Sequence, residues 1–314
     1  MINIFNLFHL PMKRLAKRLG AEFVLLNQDS HFSNAMRSTL AEFKNLCKAK
    51  YPFRKSIDGH IRNLAKLELS DNEYVSHVYD IEYTDMGDLK LLTNKPKTNG
   101  VSPEMLIKLK GKCHYGFLNA LLLPDGLTRI SGYTITELEK MKICDVGSGS
   151  GELEEHLLSL GVPPTQVYSV DISPASVERQ KRLGINAYEG TINVLPTTEK
   201  FDLIFLSYFI DYDIDQLTTF ASAIKHANHG AKIILEGLLP ARPPEHVVQQ
   251  LNTTVTCGNF AFEDASLITQ AFENLSREVT RTAKLERLVI GVRYVYSRIG
   301  FFCLPSYFLV FKII

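Results

Sequence analysis

From Lys142 onward, short apolar segments alternate with stretches whose apolar residues recur at helical spacing, and this alternation constrains the fold more than any other feature. "KICDV" leads into "ELEEHLLSL", "VYSVDI" into "PASVERQKRL", and "INAYEG", "FDLIFL", a helical pattern from Asp215 to Ala227 and "KIILEG" follow. Gly161 and Gly184 close the first two helices, and Ser173 caps the second with Pro174 at its first position. Strands separated by helices of about ten residues need crossover connections, which are right-handed and yield a parallel sheet. The prediction is a doubly wound α/β domain, which binds ligands beyond the carboxyl ends of its strands where the strand order reverses. At 314 residues and 45% hydrophobic content, the chain can bury such a core in one large or two modest domains.

The segment after the first strand, "DVGSGSGE", places Gly147, Gly149 and Gly151 between that strand and the helix that follows. Glycines there permit a tight turn and let a ligand lie against bare backbone. A dinucleotide-binding loop has the spacing Gly-x-Gly-x-x-Gly and sets a pyrophosphate on the helix N-terminus. Here the spacing is Gly-x-Gly-x-Gly and the next residue is Glu152. An acid in the first helical turn repels a pyrophosphate and tolerates a cationic amine or sulfonium. Asp171 ends the second strand 20 positions after Gly151, where a carboxylate can accept both hydroxyls of a ribose. Together these features favour an adenosyl ligand without phosphates over a nicotinamide or flavin dinucleotide.

"ICDVGSGSGE" followed by "VYSVDIS" resembles the first two motifs of the class I S-adenosylmethionine-dependent methyltransferases, a likeness that extends over residues 140 to 237. It implies a seven-stranded, Rossmann-like sheet and S-adenosyl-L-methionine as cofactor. On this resemblance Asp145, Gly147, Ser148, Gly149 and Gly151 line the methionine portion, Asp171 binds the ribose and Ile172 packs on the adenine. "EGTINVLP" matches the loop after the third strand, which adds Thr191 and Ile192; Thr191 stands where many relatives carry an acid. "FDLIFLSYFIDY" resembles the fourth-strand motif and sets Ser207 and Tyr208 beside the sulfonium. Tyr208 and Asp211 are the candidate catalytic groups, and Tyr115, Tyr212 and Glu236 the candidate substrate contacts. "GFFCLPSYFLVFKII" suggests two final strands folded about "PS" into the family's closing hairpin.

Residues 1–138 read as a mostly helical substrate or lid region, and 139–314 as the methyltransferase domain, with 238–299 a helical lid insertion through "AKLERLVIGVRYVYSRI". "HYGFLNALLL" is too apolar to be left in water, so the leader is expected to pack onto the second half and help close the site. His226 and His229 in "KHANHG" read as a surface helix cap; no metal is expected. A formal charge of +1 without a basic stripe gives no drive toward nucleic acid. "LSYFID" also stands where relatives acting on planar amide or amino nitrogens carry an Asn-Pro-Pro-Tyr-type motif. A small-molecule acceptor, methylated at O, N or C, is therefore favoured over RNA, DNA or protein. Two other readings stay open: an enzyme that transfers the aminocarboxypropyl arm or cyclises the cofactor, and a non-catalytic binding module. Five scattered cysteines with no Cys-x-x-Cys pair fit a reducing cytoplasm. The N-terminal segment has its basic residues after the apolar piece, the wrong order for export, and no apolar run is long enough for stable membrane insertion.

Overall fold

The computed structural model describes residues 13–14, 16–18, 20–26, 114–123, 125–149, 151–207, 216–238, 282–297 and 300–314. Their strands are β1 (Glu22–Leu25), β2 (His114–Leu118), β3 (Ile143–Val146), β4 (Val167–Asp171), β5 (Asn186–Glu189), β6 (Phe201–Ser207), β7 (Ala227–Leu238), β8 (Ala283–Ser297) and β9 (Gly300–Ile313). The helices are α1 (Gly126–Ser131), α2 (Ile135–Leu138), α3 (Glu152–Ser159), α4 (Pro174–Arg182) and α5 (Gln216–Lys225). All nine strands form one sheet, ordered β1-β8-β9-β7-β6-β3-β4-β5, with β2 also paired to β8. The strands β5 to β7 are mutually parallel through β4, β3 and β6, whereas β9 runs antiparallel to both β7 and β8. Seven strands run in sequence from β5 to β8, and the expected count of seven is exceeded because β1 and β2 extend the sheet beyond β8.

The strand order reverses between β3 and β6: the chain steps outward from β3 to β4 and β5, then returns to β6 on the other side. The carboxyl end of β3 is thus the switch point at which such sheets bind ligands. Local chemistry accounts for the helices that follow. Ser173 accepts a hydrogen bond from the Ser176 N–H at 3.2 Å and caps α4, with Pro174 at its first position. Gly161 and Gly184, at φ 96° and 79°, turn the chain out of α3 and α4 in the left-handed region where side chains are strained.

Strand residues alternate between two hydrophobic layers. Cys144, Ile204, Leu206, Ile233, Leu235, Tyr307, Leu309 and Phe311 pack on one face with Phe220 of α5. Ile143, Leu203, Phe205, Ile234, Val289, Phe308 and Val310 pack on the other, with Leu153 and Leu157 of α3. Parts of the leader complete the second layer: Leu26, Ala120, Leu121, Leu123, Leu127 and Ile130 are all at most 1% exposed. Cations on the sheet hold α1 in place. Lys232 Nζ donates to the Ser131 carbonyl at 2.8 Å, and Arg287 Nη1 donates to the Arg129 carbonyl at 2.9 Å, satisfying carbonyls that the helix end leaves open.

Two expectations are corrected. Ala283–Ser297 is a 15-residue strand and not part of a helical insertion. Its apolar residues Leu285, Leu288, Val289 and Val292 do fall at i, i+3, i+4 and i+7. A register shift between Leu285 and Arg287, however, sets Leu285 and Leu288 on one face of the sheet and Val289 on the other, so a bulged strand imitates helical spacing. The final hairpin exists but does not fold about "PS": β9 runs through Pro305 and Ser306, and the pairing of β8 with β9 extends to Ser297 with Gly300. Among the described residues Pro305 sits one residue beyond the last β7 pairing, Leu238 with Ser306, and pairs with Val292 of β8. The remainder of the segment 238–299, together with most of the leader's expected helices, lies outside the described residues.

Candidate functional site

The loop leaving β3 is held open by its own backbone. Gly147, Gly149 and Gly151 adopt φ of 76°, 56° and 83°, all in the left-handed region that non-glycine residues rarely occupy. Gly147 N–H donates to the Val170 carbonyl at 2.8 Å, tying the loop to the end of β4. Asp171, 7% exposed, spans the switch point: one carboxylate oxygen accepts from the Gly149 N–H at 2.7 Å and the other from the Ser173 N–H at 2.8 Å. From below, Gln180 donates to Ser148 Oγ at 2.8 Å and to the Gly149 carbonyl at 3.1 Å, and the Ser176 hydroxyl bonds the same carbonyl. A Cβ on Gly151 would lie 3.3 Å from Gln180 Cγ, so helix α4 and the loop fit without room for a side chain.

Beneath this loop lie buried acids. Asp145 at 4% exposure and Glu154 at 0% are neighbouring buried carboxyls, and their shared burial raises the proton affinity of each. Neither Glu154 oxygen nor Asp145 Oδ1 has a hydrogen-bond partner among the described residues. Burial pushes the Asp145 carboxyl up to about 8, and the charges of Asp171 and Glu236 add to the effect. Burial, then Asp145, likewise raises Glu154 well above the usual carboxylate range. Glu236, fully buried near the end of β7, accepts from Asn119 Nδ2 at 2.7 Å. Asn119 also accepts from the Leu121 N–H at 2.9 Å, so a leader residue is fixed against the carboxyl edge of the sheet.

The fold thus brings Asp145, Gly147, Ser148, Gly149, Gly151, Asp171 and Ile172 together around the carboxyl ends of β3 and β4. Ile172 is 42% exposed directly after Asp171, an apolar surface at the crevice rim. Thr191 is exposed, but Ile192 is 1% exposed and packs in the core layer, so its side chain offers no surface to a ligand. Ser207 ends β6 opposite Glu236, and its buried Oγ has no partner among the described residues. Tyr115 lies in β2 at the register shift between His114 and Gly116. Tyr208, Asp211 and Tyr212 lie outside the described residues. His226 is not a surface cap: it is 6% exposed, with Nδ1 3.1 Å from the Glu199 carbonyl, because the chain end of α5 turns inward onto Phe201; His229 is exposed. Among the described residues no group of three or more His, Cys, Asp or Glu is placed to hold a metal ion, and no helix is long and apolar enough to cross a membrane.

Sequence reading missed Glu154, Ser176, Gln180 and Asn119. Ser173, Ser176 and Gln180 follow one another at i, i+3 and i+7, so a polar stripe on α4 was the available signal for the face that supports the loop. Glu154 carried no such signal, since an acid in a first helical turn ordinarily faces solvent.

An α/β sheet with an acid-floored glycine loop at its switch point has a charge suited to a cationic ligand and not to a pyrophosphate. Residues 137–282 match the family model described as a methyltransferase domain. The match marks the chain as an S-adenosylmethionine-dependent methyltransferase, with S-adenosylmethionine as its cofactor. No curated protein sequence matches the chain. Among solved structures it is similar to PH1948 from Pyrococcus horikoshii, provisionally assigned as an RNA methyltransferase (14% identity, 57% of this chain and 84% of that one, TM-score 0.38). It is also similar to the N-methyltransferase NodS from Bradyrhizobium japonicum WM9 in complex with S-adenosyl-l-homocysteine (15%, 60% and 88%, 0.36). A third is a protein from a study of disulfide-to-thioacetal conversion in echinomycin biosynthesis (16%, 57% and 81%, 0.41). At such identities and TM-scores these likenesses say nothing about the acceptor.

Proposed function

We propose that the chain transfers the methyl group of S-adenosylmethionine to an O, N or C atom of a small molecule, with the cofactor lying along the carboxyl edge of β3 and β4. The observation that carries this reading is the acidic floor of the glycine loop: Asp145, Glu154 and Asp171 would repel a pyrophosphate and attract the ammonium and sulfonium of this cofactor. In this reading Gly147, Ser148, Gly149 and Gly151 receive the methionine portion, Asp171 the ribose hydroxyls, and exposed Ile172 with Thr191 the adenine. The cofactor supplies an already activated methyl group. The protein's contribution is to align acceptor, methyl and sulfur and to exclude water. Ser207, whose hydroxyl is otherwise unpaired, is placed to orient the reacting end, with Tyr208 and Asp211 as candidate catalytic groups and Tyr115, Tyr212 and Glu236 as candidate acceptor contacts. The Asn119–Glu236 bond supports a leader, residues 1–138, that helps build the acceptor side of the 139–314 domain. A charge of +1 favours a small-molecule acceptor over nucleic acid, and the separated cysteines favour a reducing, cytoplasmic setting.

The test is product analysis with labelled S-adenosylmethionine in a cell extract containing metabolites, RNA and protein. S-adenosylhomocysteine and label in the small-molecule fraction are expected. Methylthioadenosine as the nucleoside product would overturn methyl transfer, and label confined to acid-precipitable polymer would overturn the acceptor class.

Asp171→Ala should weaken S-adenosylmethionine binding by about 1.5–3 kcal/mol, as for lost charge-assisted hydrogen bonds. Because Asp171 also holds the N–H groups of Gly149 and Ser173, the ligand-free variant should melt at a lower temperature. Calorimetry giving unchanged affinity in a folded variant would remove Asp171 from the ligand site.

A further inference from the structure

We propose that Glu154 is a positioning residue for cofactor capture: it shares one proton with Asp145 while the site is empty, and that proton leaves to solvent when the cationic methionine end of the cofactor arrives. The inference rests on the cofactor reading above and adds to it a coupling between ligand capture and proton release. Its basis is geometric. Glu154 is 0% exposed, and neither of its oxygens has a hydrogen-bond partner among the described residues. Its Oε2 lies 3.8 Å from the point where a Gly151 Cβ would stand, so the carboxyl abuts the loop itself. Asp145 meets it from the end of β3.

Two ionised carboxylates in contact and out of water repel each other strongly, and one proton held between them removes the repulsion. The backbone N–H groups of Val146 and Glu154 offset the repulsion in part, but no charged group acting on the pair from the surrounding elements gives relief. Asp171 on β4, Glu236 on β7 and Glu152 on α3 are acids, and Cys144 on β3 is a buried thiol whose own ionisation the pair opposes. A cation brought to the loop supplies the missing charge. It favours the doubly ionised pair, and the proton passes to water without any bond to the ligand being made or broken.

The sign follows from linkage. A proton bound in the empty protein and lost in the complex makes affinity rise with pH, and Asp145, raised to about 8, places this rise across the neutral range. For the empty protein the raised carboxyls act in the opposite direction. The contribution of Asp145 to stability is complete below the ordinary carboxylate range and is lost as pH rises through about 8, and that of Glu154 is lost in the same direction.

The experiment is titration calorimetry of the full chain with S-adenosylhomocysteine, which keeps the ammonium, in buffers of differing ionisation enthalpy. Methylthioadenosine, which lacks the amino-acid arm, is the comparison ligand. About one proton should be released per S-adenosylhomocysteine near pH 7, with the affinity rising about tenfold per pH unit below pH 8. Methylthioadenosine should release close to none. In Glu154→Gln, whose amide can donate to Asp145 permanently, both the release and the pH slope should vanish while binding persists. Binding of S-adenosylhomocysteine without proton release, or equal release with methylthioadenosine or in Glu154→Gln, overturns the inference and leaves the cofactor reading intact. Failure of the wild-type chain to bind S-adenosylhomocysteine overturns both. If Glu154→Gln does not fold, the two-ligand comparison on the wild-type chain decides.

Discussion

Gly149→Val should abolish S-adenosylmethionine binding while leaving the sheet folded. Gly149 has φ 56°, a conformation that a β-branched residue adopts only under strain of about 1–3 kcal/mol. Its N–H and carbonyl are both committed, to Asp171 at 2.7 Å and to Gln180 at 3.1 Å, so the backbone cannot relax without releasing the loop from β4 and α4. A valine side chain would also stand where a ligand must approach the main chain. The loop lies outside both hydrophobic layers, so the strain should not reach them. Affinity should fall by at least about 100-fold, or about 2.7 kcal/mol, by calorimetry, with the circular dichroism spectrum retained. Gly149→Ala should fall between the two. Binding at wild-type strength by the valine variant would place the cradle elsewhere.

A chain beginning at Thr134 should lose turnover and fail to stay monodisperse. The deletion removes β1 and β2 from the outer edge of β8 and takes Leu26, Leu121, Leu123, Leu127 and Ile130 out of the second core layer. Each such side chain contributes about 1.5–3 kcal/mol by burial. Together they rival the roughly 5–15 kcal/mol that holds a typical domain folded. The cut also deprives Lys232 and Arg287 of their helix carbonyls and Glu236 of Asn119. Light scattering and activity measurements check the outcome. A dispersed truncated chain that methylates its acceptor at the full-length rate would show the leader to be an appendage to the site.

The parts of this molecule that were legible in the sequence are those set by local rules. Glycines at positive φ, a Ser-Pro helix start and apolar runs between helices located β3, α3, β4, α4, β5, β6 and β7 because each feature needs only its own neighbours to take effect. Strand β8 was not legible, because the shift between Leu285 and Arg287 changes which face its residues occupy, and only pairing with β9 reveals that. The glycine loop at the switch point was legible from its three glycines and Asp171. What supports it was not: Gln180 and Glu154 are ordinary helix formers whose inward direction depends on how α3 and α4 dock on the sheet. The hydrogen bond from Asn119 to Glu236 joins residues 117 positions apart, beyond any local pattern.

The antiparallel β9 lies between β7 and β8, in the middle of the sheet, although its residues 300–313 follow both of them in the chain. Until they leave the ribosome, β7 and β8 have no strand to join them, and β1, which pairs with Arg287–Ile290 of β8, is not connected to the β7 side of the sheet. The nascent protein must therefore hold Ile233, Ile234 and Leu235 without a partner on one side while the rest is made, the condition that slow, non-local sheets share and that invites association with other chains. Assembly order, set by the place of one strand, leaves the sheet intolerant of any stop that removes β9.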